Sequence, residues 1–283
     1  MTIRDPVVMG IVNVTPDSFS DGGRWLDPSA AIAHGRELVE DGAGILDVGG
    51  ESTRPGASPV PAEEQLRRVV PVLEGLRGVE ARISIDTTKS AVAEAALDLG
   101  ADIVNDVTAL RDDPELAGLV ADRGATVCLM HMLGEPRTMQ DDPRYDDVVD
   151  DVKAFLEERL RHAVGAGIAE DRVWLDPGIG FGKTVDHNLT LLQRLGELTQ
   201  LGRPIVVGTS RKGFIGAISG QDIEGRVPGT IATNVIALAG GAEVFRVHDV
   251  AAVAQALTVA SATLRGRWTG ATTTSTTSTR TTS

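Results

Sequence analysis

The stretch VWLDPGIGFGKT, residues 173–184, contains a short apolar run, a single aspartate and a glycine-rich segment. The run Val173–Leu175 is typical of a strand that is buried on both faces of a parallel sheet, and Asp176 follows directly where that strand ends. The glycines do not form a phosphate-binding P-loop, because the first glycine of that motif is replaced by Pro177, which has no N–H. The dinucleotide motif G-x-G-x-x-G also fails, since Gly182 comes one residue early. We therefore interpret the stretch as a strand, a polar exit and a loop.

The same alternation of short apolar runs and longer amphipathic segments extends over almost the whole chain. The runs, rich in Val and Ile, are Val7–Val12, Ile45–Val48, Ile83–Ile85, Ile103–Val104, Thr126–Leu129, Val173–Leu175, Pro204–Val207 and Val244–Val247. Helical spacing of apolar residues predicts helices between them, for example over Val148–Leu160 and Val250–Leu264. Eight β–α units in 283 residues predict an α/β protein with a single (β/α)8 TIM barrel over residues 1–267. A doubly wound open sheet is the alternative, although it usually has fewer repeats.

Composition argues against several classes of protein. The net charge of −13 disfavours nucleic acid as a partner, since its phosphates require a basic face. No apolar run approaches the roughly 20 residues of a membrane span, and the N-terminus has no secretion signal, so we expect no membrane partner. Cys128 is the single cysteine, so the chain cannot form an intramolecular disulfide, and we expect a cytoplasmic protein. We expect Cys128 itself to be a core residue. Residues 268–283, rich in Thr and Ser, are predicted to form a disordered tail.

Polar side chains follow nearly every predicted strand. In a barrel the C-terminal ends of the strands carry the chemistry, and Asp86, Asn105 and Asp176 come directly after buried runs there. A single residue of this kind could be a helix cap or a turn residue, as Asp and Asn often are. Several at one mouth indicate a pocket, because a carboxylate that loses water needs hydrogen-bond donors. A ligand edge rich in N–H groups would supply those donors.

Basic residues form a second group at the predicted mouth. They are Arg54, Lys183, Arg211, Lys212, Arg246 and His248. Those that follow the last two strands lie where barrels commonly bind phosphate, and the alternative is a set of internal salt bridges with the acids of the mouth. We favour a two-part pocket, one half for a donor-rich ring and the other for a phosphate or diphosphate. The role of His131, at the end of the fifth run, stays open between structural support and substrate contact.

Six stretches of the chain closely resemble the dihydropteroate synthases, the folate-pathway enzymes that sulfonamides inhibit. The stretches are MGIVNVTPDSFSDGG, DVGGESTRPGA, LMHMLG, LDPGIGFGKT, SRKGFIG and RVHDV, in the order of the family. The resemblance implies a (β/α)8 barrel and a transferase that condenses 6-hydroxymethyl-7,8-dihydropterin diphosphate with p-aminobenzoate to give 7,8-dihydropteroate and diphosphate. It also implies Mg²⁺ as cofactor and a homodimer formed through late helices such as Val250–Leu264.

The resemblance also implies roles for individual residues. The pterin-binding set is Asp86, Asn105, Met130, Asp176, Gly180, Lys212 and Arg246, of which Lys212, Arg246, Asp86 and Asp176 are expected to be catalytic. The diphosphate contacts are Asn13, Arg54, Arg246 and His248, and Asn13 is also the expected contact of Mg²⁺. The p-aminobenzoate contacts are Phe19, Thr53, Arg54, Pro55, Phe181, Lys212 and Gly213. Gly213 departs from many relatives, whose serine contacts the carboxylate of p-aminobenzoate, but glycine keeps a backbone N–H at a helix start.

Three alternative functions compete with this interpretation. A methyltetrahydrofolate–corrinoid methyltransferase would share the pterin residues but would not need the basic set for a diphosphate. A non-catalytic paralogue that binds pterin or a partner protein would be expected to have lost Asn13, the pair Thr53 and Arg54 or the pair Arg211 and Lys212, and all of these are present. A sugar-phosphate lyase or isomerase would need a Schiff-base lysine or a carboxylate base on a strand. We therefore expect a synthase, in which the C–O bond to the diphosphate breaks before the amine attacks.

Overall fold

The eight predicted strands form one parallel sheet that curves into a barrel. The computed structural model describes residues 5–15, 28–52, 58–135 and 137–268. The strands are β1 (Val7–Asn13), β2 (Ile45–Gly49), β3 (Arg82–Asp86), β4 (Ile103–Asp106), β5 (Thr126–Met130), β6 (Val173–Asp176), β7 (Val206–Val207) and β8 (Val244–Val247). The helices are α1 (Pro28–Glu40), α2 (Ala62–Gly75), α3 (Ser90–Asp98), α4 (Leu116–Arg123), α5 (Val148–Gly165), α6 (Val185–Gln193), α7 (Gly213–Ser219), α8 (Val227–Ala239) and α9 (Val250–Arg265). The (β/α)8 barrel is confirmed, and the open doubly wound sheet is not found.

Neighbouring strands pair in sequence around the ring, and β1 also pairs with β8. The ring closes between β6 and β7 through a single parallel bridge from Leu175 to Ile205, with the Leu175 N–H donating to the Pro204 carbonyl at 3.0 Å. The predicted run Pro204–Val207 is therefore shortened to two ladder residues. Proline has no N–H for the ladder, which explains why regular pairing begins only after it.

Alternation along the strands divides the barrel into an apolar floor and a polar mouth. The inward side chains near the strand starts form one buried cluster of Met9, Ile45, Ile103, Cys128, Trp174, Val206 and Val244. Successive residues of a strand face opposite sides, so the residue two positions later also faces inward. Those residues include Asp47, Asn105, Met130, Asp176 and Arg246, while β1 and β7 place Ile11 and Gly208 at the same level. The outward side chains, such as Leu46 and Phe245, pack in the main core with the helices.

Local signals fix the ends of the helices that flank the mouth. The Asp147 side chain caps α5 by accepting from the N–H groups of Val149 and Asp150. Thr184 and His187 form a reciprocal capping box at the start of α6. Among the described residues, no helix is long and apolar enough to cross a membrane. The predicted tail lies outside the described residues from residue 269 onward and stays a prediction.

Candidate active site

A network of ion pairs and a hydrogen bond joins four strands, β2, β3, β4 and β8, at the mouth of the barrel. The guanidinium of Arg246 on β8 donates from Nε to Asp47 Oδ2 at 2.6 Å and from NH2 to Asp86 Oδ2 at 2.7 Å. Asn105 on β4 donates from Nδ2 to the same Asp47 oxygen at 3.1 Å. The structure therefore brings together three of the predicted pterin residues, Asp86, Asn105 and Arg246, around one acid that the sequence predictions do not include.

That acid, Asp47, is fully buried at 0% exposure in the middle of β2. It was missed because it lies inside the apolar run Ile45–Val48 and not at the exit of the strand. A charged residue in a strand that is otherwise buried on both faces is itself a signal, since a carboxylate there must find a cation. Arg246 is that cation, but nothing in the sequence pairs the two, which lie on opposite ends of the chain.

Burial and the neighbouring charges shift the pKa values of Asp86 and Arg246 in this network. Burial raises the pKa of Asp86, against the attraction of Arg246, and the neighbouring carboxylates of Asp47, Glu51 and Asp106 add to the rise. The pKa of Arg246 is raised above its ordinary value, since the two carboxylates outweigh the opposing effect of burial. Arg246 therefore stays charged, and a ligand that donates hydrogen bonds would favour the ionised form of Asp86.

Asp176 ends β6 on the opposite side of the mouth. Its Oδ1 accepts from the Gly178 N–H at 2.7 Å, which holds the carboxylate at the start of the glycine-rich loop. Burial raises the pKa of Asp176 to about 6, although the Gly178 N–H and the cations Lys212, Arg246 and Lys183 oppose the rise. Asp176 is thus a buried acceptor that is mostly ionised at neutral pH.

The glycines of this loop are required by the protein's own chain. Gly178, Gly180 and Gly182 have φ values of 66°, 83° and 62°, in the left-handed region that favours glycine. A Cβ at Gly178 would overlap the His131 carbonyl oxygen, and one at Gly182 would lie 2.7 Å from the Leu133 carbonyl oxygen. The family resemblance assigns only Gly180 to the pterin, and the structure shows that Gly178 and Gly182 admit the backbone that follows β5.

Phe181 lies beside Lys212 at the edge of the mouth, as predicted. The Lys212 Nζ is 4.1 Å from the centre of the Phe181 ring, within the range of a cation–π interaction. The ring packs on an apolar cluster that includes Val107, Met130 and Met132. Of these, only Met130 is expected from the sequence. Val107 was missed because it looks like any buried valine, although it lies two residues beyond Asn105.

Two of the predicted phosphate-binding cations have other partners. Lys183 is only 3% exposed, and its Nζ lies 2.9 Å from His131 Nδ1 and 2.9 Å from the Phe181 carbonyl oxygen. Arg211 makes a two-point ion pair with Asp249, at 2.9 and 2.5 Å. For Arg211 the alternative of an internal salt bridge is correct. For His131, which is 5% exposed and in contact with Lys183, the structure favours structural support.

The remaining predicted residues lie at other strand ends. Asn13 ends β1 in register with Gly49 of β2, and His248 directly follows β8. The Ser210 hydroxyl forms a hydrogen bond with the ring Nδ1 of His248 at 3.0 Å and accepts another from the backbone N–H of His248 at 3.1 Å. These two contacts fix the orientation of the ring. Gly213 opens α7, and no heavy atom lies within 4 Å of a Cβ placed there. The predicted contacts Phe19, Thr53, Arg54 and Pro55 lie outside the described residues.

The donors that the mouth offers to a metal are sparse. Among the described residues, no group of three or more His, Cys, Asp or Glu side chains could hold a metal ion. A Mg²⁺ site formed entirely by such side chains is therefore not found in that part of the chain. The amide oxygen of Asn13 still suits Mg²⁺, which often takes few protein ligands and completes its shell with water and substrate phosphate.

Comparison with known proteins places this geometry in one family. A family model described as pterin binding enzyme matches residues 9–248. The dihydropteroate synthase of Haemophilus influenzae is 45% identical over 259 residues, which cover 91% of this chain and 94% of that protein.

Solved structures agree. The dihydropteroate synthase of Yersinia pestis, in a sulfonamide drug complex, has a TM-score of 0.89 at 42% identity and covers 94% of this chain and 96% of its own. That of Xanthomonas albilineans with 4-aminobenzoic acid has a TM-score of 0.87 at 50% identity, covering 93% and 95%. With its buried acceptors at the mouth of a (β/α)8 barrel, the chain belongs to the family of pterin-binding enzymes, and the relatives it matches there are dihydropteroate synthases.

Proposed function

We propose that this chain condenses 6-hydroxymethyl-7,8-dihydropterin diphosphate with p-aminobenzoate, giving 7,8-dihydropteroate and diphosphate in folate biosynthesis. The observation that carries the proposal is the pair of buried carboxylates at the mouth of the barrel, Asp86, which lies in register with Asn105, and Asp176; they are 7% and 6% exposed. A reduced pterin has amino and ring N–H groups along one edge, which match this set of acceptors. The similarity to dihydropteroate synthases over more than nine-tenths of the chain supports the same reaction.

In this proposal, residues at the polar mouth of the barrel, above the apolar floor, bind the pterin ring. Asp86, Asn105 and Asp176 receive its N–H edge, Met130 and Gly180 line its faces, and Lys212 and Arg246 bind its acceptor atoms. Charge-assisted hydrogen bonds of this kind contribute roughly 1.5–3 kcal/mol each. The contacts of Arg246 with Asp47 and Asp86 support this role, since they fix the guanidinium before the ligand arrives.

The diphosphate is assigned to Asn13, Arg54, Arg246 and His248. Asn13 and His248 follow neighbouring strands, since β1 pairs with β8, so their positions at one side of the mouth support a shared ligand. Mg²⁺ held by Asn13 and the diphosphate oxygens would offset part of the negative charge of the leaving group. His248, whose ring is oriented by Ser210, donates a hydrogen bond to the departing diphosphate.

p-Aminobenzoate is assigned to the outer edge of the pocket. Phe181 and Lys212 offer it an aromatic face and a cation, which supports stacking of its ring and attraction of its carboxylate. Gly213 contributes its backbone N–H from the first turn of α7. The remaining contacts of the proposal, Phe19, Thr53, Arg54 and Pro55, are carried over from the family resemblance alone.

The chemical step is an ionisation followed by capture. The C–O bond between the pterin methylene and the diphosphate breaks first, because the pterin ring delocalises the cation that forms and the diphosphate is a stable anion. Arg246 and His248 stabilise the separating negative charge, which is a preorganised electrostatic role. The aniline nitrogen of p-aminobenzoate then forms the C–N bond to the methylene and releases one proton to the departed diphosphate or to water, so no side chain acts as a nucleophile.

A coupled assay of diphosphate release tests the activity. Turnover that requires both the pterin diphosphate and p-aminobenzoate, and that a sulfonamide inhibits competitively with p-aminobenzoate, would support the proposal. The ionisation step is tested in crystals grown with pterin diphosphate and Mg²⁺ but without p-aminobenzoate. Cleaved pterin in those crystals is expected, and an intact substrate under conditions that support turnover would contradict the order of steps.

A homodimer in the cytoplasm completes the proposal. α8 contains no charged residue and α9 contains only Arg265, at its last position, and these two helices pack side by side. Ile236 on α8 is 52% exposed and Val259 on α9 is 63% exposed, so an apolar surface is available for a second copy. Sedimentation should give a dimer, and Val259→Glu should shift it toward the monomer. A wild-type monomer at micromolar concentration would contradict this assignment.

A further inference from the structure

Lys183 is a buried amine for which the proposed reaction has no use. It follows Gly182 in the loop between β6 and α6, and only 3% of it is exposed. Its Nζ lies 2.9 Å from Nδ1 of His131, which directly follows β5, and 2.9 Å from the carbonyl oxygen of Phe181. A single side chain therefore ties the end of β5 to the backbone of the residue assigned to p-aminobenzoate.

Protonation on both sides favours Lys183 as the donor. Burial, with the nearby cations Lys183 and Arg111, lowers the pKa of His131 to about 2, so the ring stays neutral and Nδ1 can accept. Burial also lowers the pKa of Lys183 to about 7, with Asp176 opposing and Lys212 adding to the shift. A neutral amine has two N–H groups and an ammonium has three, so either form can donate to both acceptors.

The partner of Lys183 is itself rigidly placed. The His131 ring packs edge-on against Phe155 of α5, with ring centres 4.8 Å apart. The backbone N–H of His131 donates to the backbone carbonyl oxygen of Asp176 at 2.9 Å. The position of Lys183 Nζ is thus set by α5 and β6, and the Phe181 carbonyl is held against that fixed point.

The carbonyl groups on both sides of Phe181 have side-chain donors as well. Gln140 donates from Nε2 to the Gly180 carbonyl oxygen at 2.6 Å, and the Tyr145 hydroxyl donates to the Gly182 carbonyl oxygen at 2.7 Å. Three consecutive carbonyl groups of a loop that contains three left-handed glycines are therefore held by side chains. Without such donors, a glycine-rich segment of this kind would sample many backbone conformations.

We propose that Lys183 is a positioning residue for Phe181, which it holds in place through the Phe181 carbonyl group. This inference rests on the proposed function, in which the Phe181 ring faces p-aminobenzoate. When the loop is fixed in advance, binding of p-aminobenzoate does not have to order it, and preorganisation of this kind raises affinity. Loss of Lys183 should therefore weaken the use of p-aminobenzoate and leave pterin binding, which depends on the polar mouth of the barrel, nearly unchanged.

The test compares Lys183→Met with Lys153→Met, a matched control in which a half-buried lysine of α5 loses its contact with Gln200. Lys183→Met should raise the KM for p-aminobenzoate about fivefold to tenfold, the effect expected for losing a buried hydrogen bond. The Kd for a pterin alcohol, measured by calorimetry, should change less than twofold, and the control should match the wild type in both measurements. An unchanged KM, or an equal loss of both affinities, would overturn the inference.

A second variant guards against a folding defect in Lys183→Met. Tyr145→Phe removes only the hydroxyl that holds the next carbonyl group, and it should raise the same KM by about twofold to fourfold. The effect of Lys183→Met should also disappear in a Phe181→Ala background, because Lys183 acts through Phe181. A KM that Phe181→Ala leaves unchanged would contradict the proposed role of Phe181. Additive effects of the two substitutions would overturn only the role of Lys183.

Discussion

Replacement of Asp176 by asparagine should stabilise the protein in the absence of ligand and abolish most of its pterin binding. The carboxylate of Asp176 is 6% exposed, and burial raises its pKa from 3.8 to about 6. Asparagine has the same shape and can still accept the Gly178 N–H that now reaches Asp176 Oδ1 at 2.7 Å. The variant therefore keeps the local hydrogen bond and removes only the buried charge.

The size and the pH dependence of the effect follow from the pKa. A folded-state pKa above the unfolded value means that ionisation opposes folding, so the wild type loses stability as pH rises from 3.8 to about 6. At neutral pH the shift in the pKa of Asp176 lowers the unfolding free energy of the wild type by about 3 kcal/mol, since one pKa unit is equivalent to about 1.4 kcal/mol. At pH 4.5 most of the carboxyl groups in the folded state are protonated, and this effect falls to about 1 kcal/mol.

Urea unfolding without ligand, at pH 7.5 and at pH 4.5, measures the stability difference between the variant and the wild type and its dependence on pH. Asp176→Asn should be more stable than the wild type by about 3 kcal/mol at the higher pH and by about 1 kcal/mol at the lower pH. Asp122→Asn, an exposed aspartate of α4, is the control and should change little at either pH. Calorimetry should show that Asp176→Asn loses pterin affinity. A variant that is less stable at pH 7.5, or whose advantage does not depend on pH, would refute the reasoning.

Three further substitutions test the network, the loop and the helix start. Arg246→Met should destabilise the fold by roughly 3–5 kcal/mol in urea, because Asp47 and Asp86 lose the cation they share; a change below 1 kcal/mol would contradict the network. Gly178→Ala should cost at least about 2 kcal/mol, since its φ is 66° and the new methyl group overlaps the His131 carbonyl; wild-type stability would contradict the close approach. Gly213→Ser should leave the unfolding free energy within about 0.5 kcal/mol, because its side chain meets open space, and should lower the KM for p-aminobenzoate; an unchanged KM would show that the hydroxyl does not reach the substrate.

The architecture and the strand-exit residues could be predicted because they depend on local signals. A strand buried on both faces of a parallel sheet is apolar throughout, so the eight runs were visible without any knowledge of pairing. The fold then brings their ends to one mouth, which placed Asp86, Asn105 and Asp176 together. The structure confirms that Asp86 and Asn105 share the Arg246–Asp47 network.

The partners of charged side chains could not be predicted in the same way. Lys183 and Arg211 looked available for phosphate, but their partners His131 and Asp249 lie 52 and 38 positions away in the sequence. Whether a cation faces a ligand or a neighbouring loop depends on loop conformation, which no periodicity encodes. Asp47 shows the converse case, in which a carboxylate of the mouth network lies within a run that is otherwise apolar.

The same ion pairs that hold Arg246 also determine how its charge can be used. Two of the five N–H groups of the guanidinium are directed to Asp47 and Asp86, at 2.6 and 2.7 Å. Its positive charge is therefore largely matched by two buried carboxylates before any substrate binds. Arg246 is thereby preorganised to orient the pterin. In the proposed site Arg246 therefore supplies only part of the charge that stabilises the leaving diphosphate, and His248, Arg54 and the Mg²⁺ that Asn13 would help to hold supply the rest.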